Sequence, residues 1–580
     1  MSGHERTVMH RVLNIPELLD MVFSFLEPPS NAVNARVCRR WSEIALDALW
    51  KDVRDLELLF GLLAPLRISG GKDGYLEFER MPDSSDWKRF DRYTKRVRRV
   101  EYDALGCKIP LHKSVFDDVA RTRTRLDILP NMHTLHWKAS LELAVMFMHK
   151  AIKNFAVYLP ELNEISPRPF FEDVSTRMPN LTSLDIRTNI PVQRIENEMV
   201  NLFQQLPKIQ KVTFPRYYFT TRIAEVLSKL ENLGVVEFQY LDYQGSGDVQ
   251  DVIPFVPSFT EGAFPALWDH SMAVSFDDAA RFLDIPFSPT NLTMLYLDSY
   301  MIESPFAIRK LLNVISENCQ LLTFLALVSL RDAGSPSLPE PQSDTSHPDH
   351  AITVNTLKPL FKLPNLTSLE LVHQFPLALN SEDIRLFAVS WPSIRSLMLN
   401  TEPAHLTKSN LTLHDLLPFA QHCTKLRHLG LFIDSRLPTS EQPSTPSSSS
   451  TSSAVPNSTP AVQFKSLERL SMGVSLIDDE NAVTLFLSQI LPLNCQIDSG
   501  ITWDETLPVH PGISSVVQDR CMLWLKVSEL LPVLTKLRAE ERARTRAMEM
   551  ELEDLRMRTK VLNDSASIGV RLDISSCVMI

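Results

Sequence analysis

Three apolar residues in the spacing LxxLxL recur along most of the chain. The clearest copies are Leu181-Thr-Ser-Leu184-Asp-Ile186, Leu292-Thr-Met-Leu295-Tyr-Leu297, Leu366-Thr-Ser-Leu369-Glu-Leu371, Ile394-Arg-Ser-Leu397-Met-Leu399, Leu426-Arg-His-Leu429-Gly-Leu431 and Leu467-Glu-Arg-Leu470-Ser-Met472. Weaker copies begin at Val97, Met132, Ile152, Ile209, Leu233, Leu267 and Leu322, which makes thirteen starts with a median interval near 29 residues. Alternation inside each copy predicts a short strand with its frame residues on one face. Between copies the apolar period becomes helical. After Leu297, Ser304 and Pro305 precede Ile308, Leu311, Leu312 and Ile315, a capping serine and a proline in the first turn. Ser381 before Glu382 and Asp383, and Asp479 before Val483, Phe486, Leu487 and Ile490, follow the same grammar, with acidic residues at the positive end of the helix. Each unit therefore predicts a strand, a turn and an amphipathic helix. One unit cannot bury its own apolar face, so the expected fold is an α/β solenoid of stacked units.

A period near 29 residues lies at the upper edge of the leucine-rich repeats. Only Asn189 among the clear copies fills the asparagine slot of LxxLxLxxN, so the array resembles the longer, irregular kind. A horseshoe-like array is expected over residues 95–505. Two Pro/Ser/Thr-rich stretches, 331–350 and 437–463, are nearly devoid of large apolar residues and are expected to be flexible insertions within it. Strand alternation sends the residue between the last two frame positions outward. That rule nominates Glu101, His136, Asp185, Glu237, Tyr296 and Glu370, with Arg187, Gln239 and Asp298 two places on, as a substrate-binding face. Its acidic bias favours a basic or mixed-charge protein segment.

Residues 12–53 have a different pattern. Leu18, Leu19, Val22, Phe23 and Leu26 form one helical stripe, Val37, Cys38 and Trp41 a second, and Ile44, Ala45, Ala48 and Leu49 a third, with Glu-Pro-Pro-Ser-Asn as the first break. This predicts three short helices, too small a core to stand without packing on a neighbour. The segment resembles an F-box in Ile15-Pro16, Glu17-Leu18-Leu19, Val22-Phe23, Leu26, Val37-Cys38-Arg-Arg-Trp41 and Leu49-Trp50, although its Pro-to-Glu spacing is one residue shorter than the family pattern. The resemblance implies the substrate-recognition subunit of a Skp, cullin and F-box ubiquitin ligase, itself non-catalytic. Its F-box would dock the Skp adaptor through Pro16, Leu18, Leu19, Val22, Phe23, Leu26, Trp41, Leu49 and Trp50, and the array would bind a protein substrate. The expected organisation is a flexible start (1–10), the F-box (11–53), a linking helical connection (54–94), the array, a helical region (513–563) and a flexible tail (564–580).

Composition narrows the function classes. The 580 residues include 81 Leu but only 16 Gly, which favours leucine-packed repeats over phosphate-cradling loops. A net charge of −11 argues against nucleic-acid binding by the chain as a whole. Residues 84–125 oppose that trend with 12 Lys/Arg against 6 Asp/Glu, and interleave Trp87, Phe90 and Tyr93. The reading preferred there is a charged link or an acidic-partner contact, with nucleic-acid stacking as the weaker alternative. Seven cysteines form no CxxC pair, and the opening residues lack the apolar run of a secretory signal, so an intracellular, cytoplasmic or nuclear protein is expected. Gly70-Gly71-Lys72-Asp73 lacks the further residues of a phosphate loop, and His133 and His136 alternate on a strand. No catalytic residue, metal or cofactor is expected. Leu530, Leu534, Leu537, Met548, Leu552 and Leu555 predict a C-terminal helix that caps the array or meets a partner helix; polar Glu541 and Arg544 argue against one long coiled coil. Cys577-Val578-Met579-Ile580 fits the C-a-a-X prenylation pattern. It supports the alternative reading of an interaction scaffold outside the ligase, tethered to a membrane if Cys577 is lipidated.

Overall fold

The computed structural model describes residues 15–71, 74–161, 167–238, 244–330, 351–406, 408–436, 462–501 and 511–573. Gln239, Cys577, the stretch 331–350 and most of 437–463 lie outside them. The chain forms two compact units, Met1–Asp298 and Ser299–Ile580.

All thirteen LxxLxL frames carry a strand, and each strand begins two residues after the frame's first apolar residue. In the first unit these are Arg99–Asp103, Thr134–Lys138, Asn154–Leu159, Ser183–Thr188, Lys211–Phe214, Val235–Phe238, Asp269–Met272 and Met294–Ser299. In the second they are Phe324–Ser329, Ser368–His373, Ser396–Leu399, His428–Leu431 and Arg469–Gly473. Within each unit every strand pairs in parallel with the next in chain order. This is a leucine-rich-repeat solenoid built on the predicted frame. Two strands lie outside the frames: Asp52–Val53 pairs with Arg99 and Val100, and Gln496–Ser499 pairs with Arg469–Gly473.

The register aligns equivalent frame positions. In the first unit Val100, Leu135, Phe155, Leu184, Val212, Val236, His270 and Leu295 face one another strand by strand, and all are buried. In the second unit Leu325, Leu369, Leu397, Leu429 and Leu470 form the matching column. Each strand thus supplies apolar area that its neighbours cover, at roughly 25 cal/mol per Å² buried.

The intervening helices close the layer. Pro305–Asn318 buries Ala307, Ile308, Leu311, Leu312 and Ile315, and the Ser304 hydroxyl accepts from the Ala307 amide (3.2 Å) as expected. Ser381 is a correction, since it is the first helical residue of Ser381–Ser390. Asn380 caps that helix, accepting from the Glu382 and Asp383 amides in a reciprocal box with Asp383. An amide oxygen reaches those donors as readily as a hydroxyl.

The connection after the N-terminal module, expected as a linker or helical connection, holds both helices and strands. Helices Leu56–Gly61 and Ser84–Thr94 flank an antiparallel hairpin of Leu66–Ser69 with Tyr75–Phe78. Gly70 and Gly71 turn it with φ of +98° and +74°, a conformation glycine adopts without a Cβ penalty. Trp87 and Phe90 are buried here and unavailable for stacking on a nucleobase, while Tyr93 is half-buried.

In the second unit the helix Pro511–Asp573 lays Val517, Trp524, Val527, Leu531 and Thr535 against the end of the array. Val517 packs with Phe432 and Val474, and Trp524 Nε1 donates to the Ser475 carbonyl (3.0 Å). Capping of the array, one of the two roles expected for this region, is thereby accounted for.

His270 is the one polar member of the first column. Burial lowers its pKa to about 3, and its ring lies edge-on to Phe219 at 4.7 Å. The folded state holds it neutral, whereas the unfolded chain protonates near pH 6.5, so its contribution to stability declines as pH falls from about 6.5 towards 3. His270→Leu is expected to raise the melting temperature at pH 7, and the gap over the parent protein should widen on going to pH 5. Thermal denaturation across that range checks both.

Candidate partner-docking surfaces

The N-terminal module consists of α1 (Pro16–Ser24), α2 (Pro28–Asn34) and α3 (Arg39–Trp50). Pro16 opens α1, where its missing amide donor costs nothing. Leu19, Phe23 and Ala45 form its core, with Ala35, Trp41, Ile44 and Ala48 packed around them. The Phe23 and Trp41 rings meet edge-on at 5.4 Å. Asn31 is buried and bridges the first two helices: its Nδ2 donates to the carbonyls of Phe23 (2.9 Å) and Leu26 (3.3 Å) at the end of α1.

The module is fastened to the chain that follows. Arg96 donates to the Glu43 carbonyl (2.9 Å) and pairs with the carboxylates of Glu43 and Asp47, both on α3. Trp50 packs edge-on against Tyr93 at 5.6 Å. α3 then passes directly into the strand Asp52–Val53. Within the basic segment Arg89 pairs with Asp86 and Arg125 with Asp91, and Arg80, just before it, also pairs with Asp86. The Arg80 guanidinium holds Asp86 down to about 2.

Of the nine residues nominated for the adaptor, Leu19 and Phe23 are buried in the module's own core and offer no free surface. Leu18, Trp41, Leu49 and Trp50 are half-buried, while Pro16, Val22 and Leu26 are exposed. The exposed set is larger than sequence reasoning found. Val22 is 45% exposed and Phe25 84%, and Ile15, Met21, Val33 and Val37 are open as well. Phe25, Met21 and Val33 lie off the core stripe, and large apolar residues off the stripe of a small helical module are the signal that would have found them. Aromatic and aliphatic anchors of this kind dominate binding energies when a partner desolvates them.

The second surface is the outward face of the strands. In the first unit Arg187 donates to Asp185 (2.7 Å), which also accepts from Gln244 Nε2 (3.1 Å). Lys211 pairs with Glu237 (2.7 Å), and Arg54 lies 3.8 Å from Glu101. Arg99 Nη2 is 3.2 Å from His136 Nδ1, and burial beside that guanidinium lowers the imidazole's pKa. Glu101, His136 and Arg187 line a depression of about 350 Å³ with Asp103 and Lys138. Tyr296 meets Phe238 edge-on at 5.6 Å. Burial and neighbouring Glu237 push Asp269 up to about 6. In the second unit Glu370 is half-buried, and burial raises its pKa.

Asp298 is a correction. Alternation places it outward, yet it is 1% exposed, because Arg216 from an earlier repeat folds over it as an ion pair. It does not belong to an accessible face.

Among the described residues no group of three or more His, Cys, Asp or Glu is placed to hold a metal, and no helix is long and apolar enough to cross a membrane.

Residues 16–55 match the F-box-like family model. F-box domains generally bind Skp-type adaptors. A search of curated proteins returns no match. The solved LRIM1/APL1C complex aligns over 85% of this chain and 73% of its own, at 12% identity and a TM-score of 0.27. Likeness at that level carries no functional information. Together, the match and the repeats make this a chain with an F-box-like domain and a leucine-rich-repeat array, an architecture typical of non-catalytic adaptors in protein–protein interaction.

Asn31→Ala removes both bonds across the first break and takes from the Leu26 carbonyl its Asn31 partner, while the Phe23 carbonyl still accepts from the Leu26 amide (3.2 Å). The expected cost is about 1–3 kcal/mol to the module, read as earlier hydrogen exchange in residues 16–50 than in the array. Phe25→Ala, on the exposed side, should leave that exchange unchanged.

Proposed function

We propose that this chain is the substrate-recognition subunit of a Skp, cullin and F-box ubiquitin ligase. The F-box-like domain docks the Skp adaptor, and the outward strand face holds a protein substrate. The observation that carries the reading is the open apolar set on and beside α1, Ile15, Met21, Val22, Phe25 and Leu26 among them, on a module whose core is already satisfied by Leu19, Phe23 and Ala45. Such a surface is costly to leave in water and fits an interface centred on aromatic and aliphatic anchors. The second support is the fastening of α3 through Arg96 and Trp50, which gives a docked adaptor a fixed placement relative to the first repeats. Paired charges on the strand face, Asp185 with Arg187 and Glu237 with Lys211, suit a polypeptide that exchanges those partners for its own mixed charges.

The test is co-purification of the intact chain with recombinant Skp adaptor and cullin, beside a variant carrying Val22→Ala, Phe25→Ala and Leu26→Ala. These side chains are exposed, so the variant should fold as the parent does, and its affinity for the adaptor is expected to fall at least tenfold, about 1.4 kcal/mol. An intact chain that does not bind the adaptor, or a variant that binds equally well, overturns the proposal.

A further inference from the structure

The helix Pro511–Asp573 outlasts its support. Its array-facing line of Trp524, Val527, Leu531 and Thr535 reaches Arg542, whose Nη2 donates to the Gln489 carbonyl (2.9 Å). From residue 543 to residue 564 every side chain is exposed. At 1.5 Å per residue that is roughly 30 Å of helix with solvent on all sides. An unsupported helix in water gains nothing from apolar residues unless something covers them.

Part of the apolar set on this stretch is ordered, while Met550 and Met557 lie on the opposite side of the helix. Met548, Leu552 and Leu555 follow one another at intervals of four and three, with Thr545 and Thr559 on the same line. That is the seven-residue repeat of a coiled-coil seam, and it continues the phase of Trp524, Val527 and Leu531, each 21 residues earlier. No glycine or proline interrupts residues 543–567.

The charges beside the seam identify the occupant. Arg544 and Glu551 flank it on one side, Glu549 and Arg556 on the other, and all four are exposed. In a parallel, in-register pair of helices each residue on the first flank faces the residue five places on in the second helix. Arg544 then meets Glu549 of the partner subunit, and Glu551 meets Arg556 of the partner subunit. Two-fold symmetry repeats both pairs. A slip of one heptad sets Arg544 against Arg556 and Glu549 against Glu551, two repulsive pairs in place of the attractions. The sequence is therefore complementary to itself in the parallel, in-register alignment.

We infer that residues 543–564 form a parallel two-stranded coiled coil with a second copy of this chain. The seam is short and its threonines weaken it, so the association is a reversible dimer that depends on concentration. The helix is already formed and anchored on the array, which lowers the ordering cost of pairing. Dimerisation of this kind uses no residue of α1 or α2.

The test uses the full-length chain in light scattering coupled to size exclusion over roughly 1–100 µM. The mass is expected to rise from 65.9 kDa towards twice that value. Leu552→Asp with Leu555→Asp should keep it at the monomer value with unchanged helical circular dichroism. Met550→Ala with Met557→Ala, on the opposite side of the helix, should leave the dimer intact. Glu549→Lys with Glu551→Lys should abolish self-association, as should Arg544→Glu with Arg556→Glu, and mixing these two variants should restore a dimer. A parent chain that stays monomeric throughout, a dimer that survives the two aspartates, or charge variants that fail to pair when mixed would each overturn the inference.

Discussion

Parallel strand pairing in a common register is the constraint on which the rest of this structure depends. A single repeat exposes three frame residues, two of them on a strand too short to cover them. Pairing places Leu184 beside Val212, and Leu397 beside Leu369 and Leu429, so each repeat completes its neighbour's core. A slip by one residue would turn every frame side chain outward, which is why the register is strongly specified. The same constraint explains how His270 survives in an apolar column. Its neighbours fix the backbone, and the imidazole gives up its charge to remain there.

The strands were legible because their signal is local. Three apolar residues in six positions identify a strand and its buried face without reference to any other part of the chain. Helix starts at Ser304 and Asp479 were legible for the same reason, since a cap acts within one turn. What escaped reading depends on distant partners. Asp52–Val53 and Gln496–Ser499 carry no frame and become strands only because a framed strand lies alongside. Asp298 obeys the alternation rule and is buried by Arg216, 82 residues earlier in the chain. Phe25 escaped for a different reason: the periodicity that identifies a core stripe does not report on apolar residues that point away from it.

Electrostatics in the first unit divides into two roles. Arg96 and Arg80 hold elements together, each gripping carboxylates on a neighbouring segment, and the low pKa of Asp86 records that grip. The strand-face pairs around Asp185 and Glu237 join side chains on the same or adjacent strands. Breaking the first kind loosens the fold. Breaking the second changes only what the face presents, so a surface that must accept a partner is built from the second kind.

The passage of α3 into Asp52–Val53 has a further consequence. Those two residues pair with Arg99 and Val100, the first two of the strand Arg99–Asp103, whose main-chain amides and carbonyls there would otherwise face solvent as a bare sheet edge. Bare edges recruit other strands and seed aggregation, and repeat arrays survive only when their terminal units are sealed. The helical module therefore seals the array at its first strand. A truncation that removes it to isolate the repeats would expose that edge and leave Arg96 without its carboxylates, so the repeats of the first unit and the module before them are one folding entity and not two exchangeable cassettes.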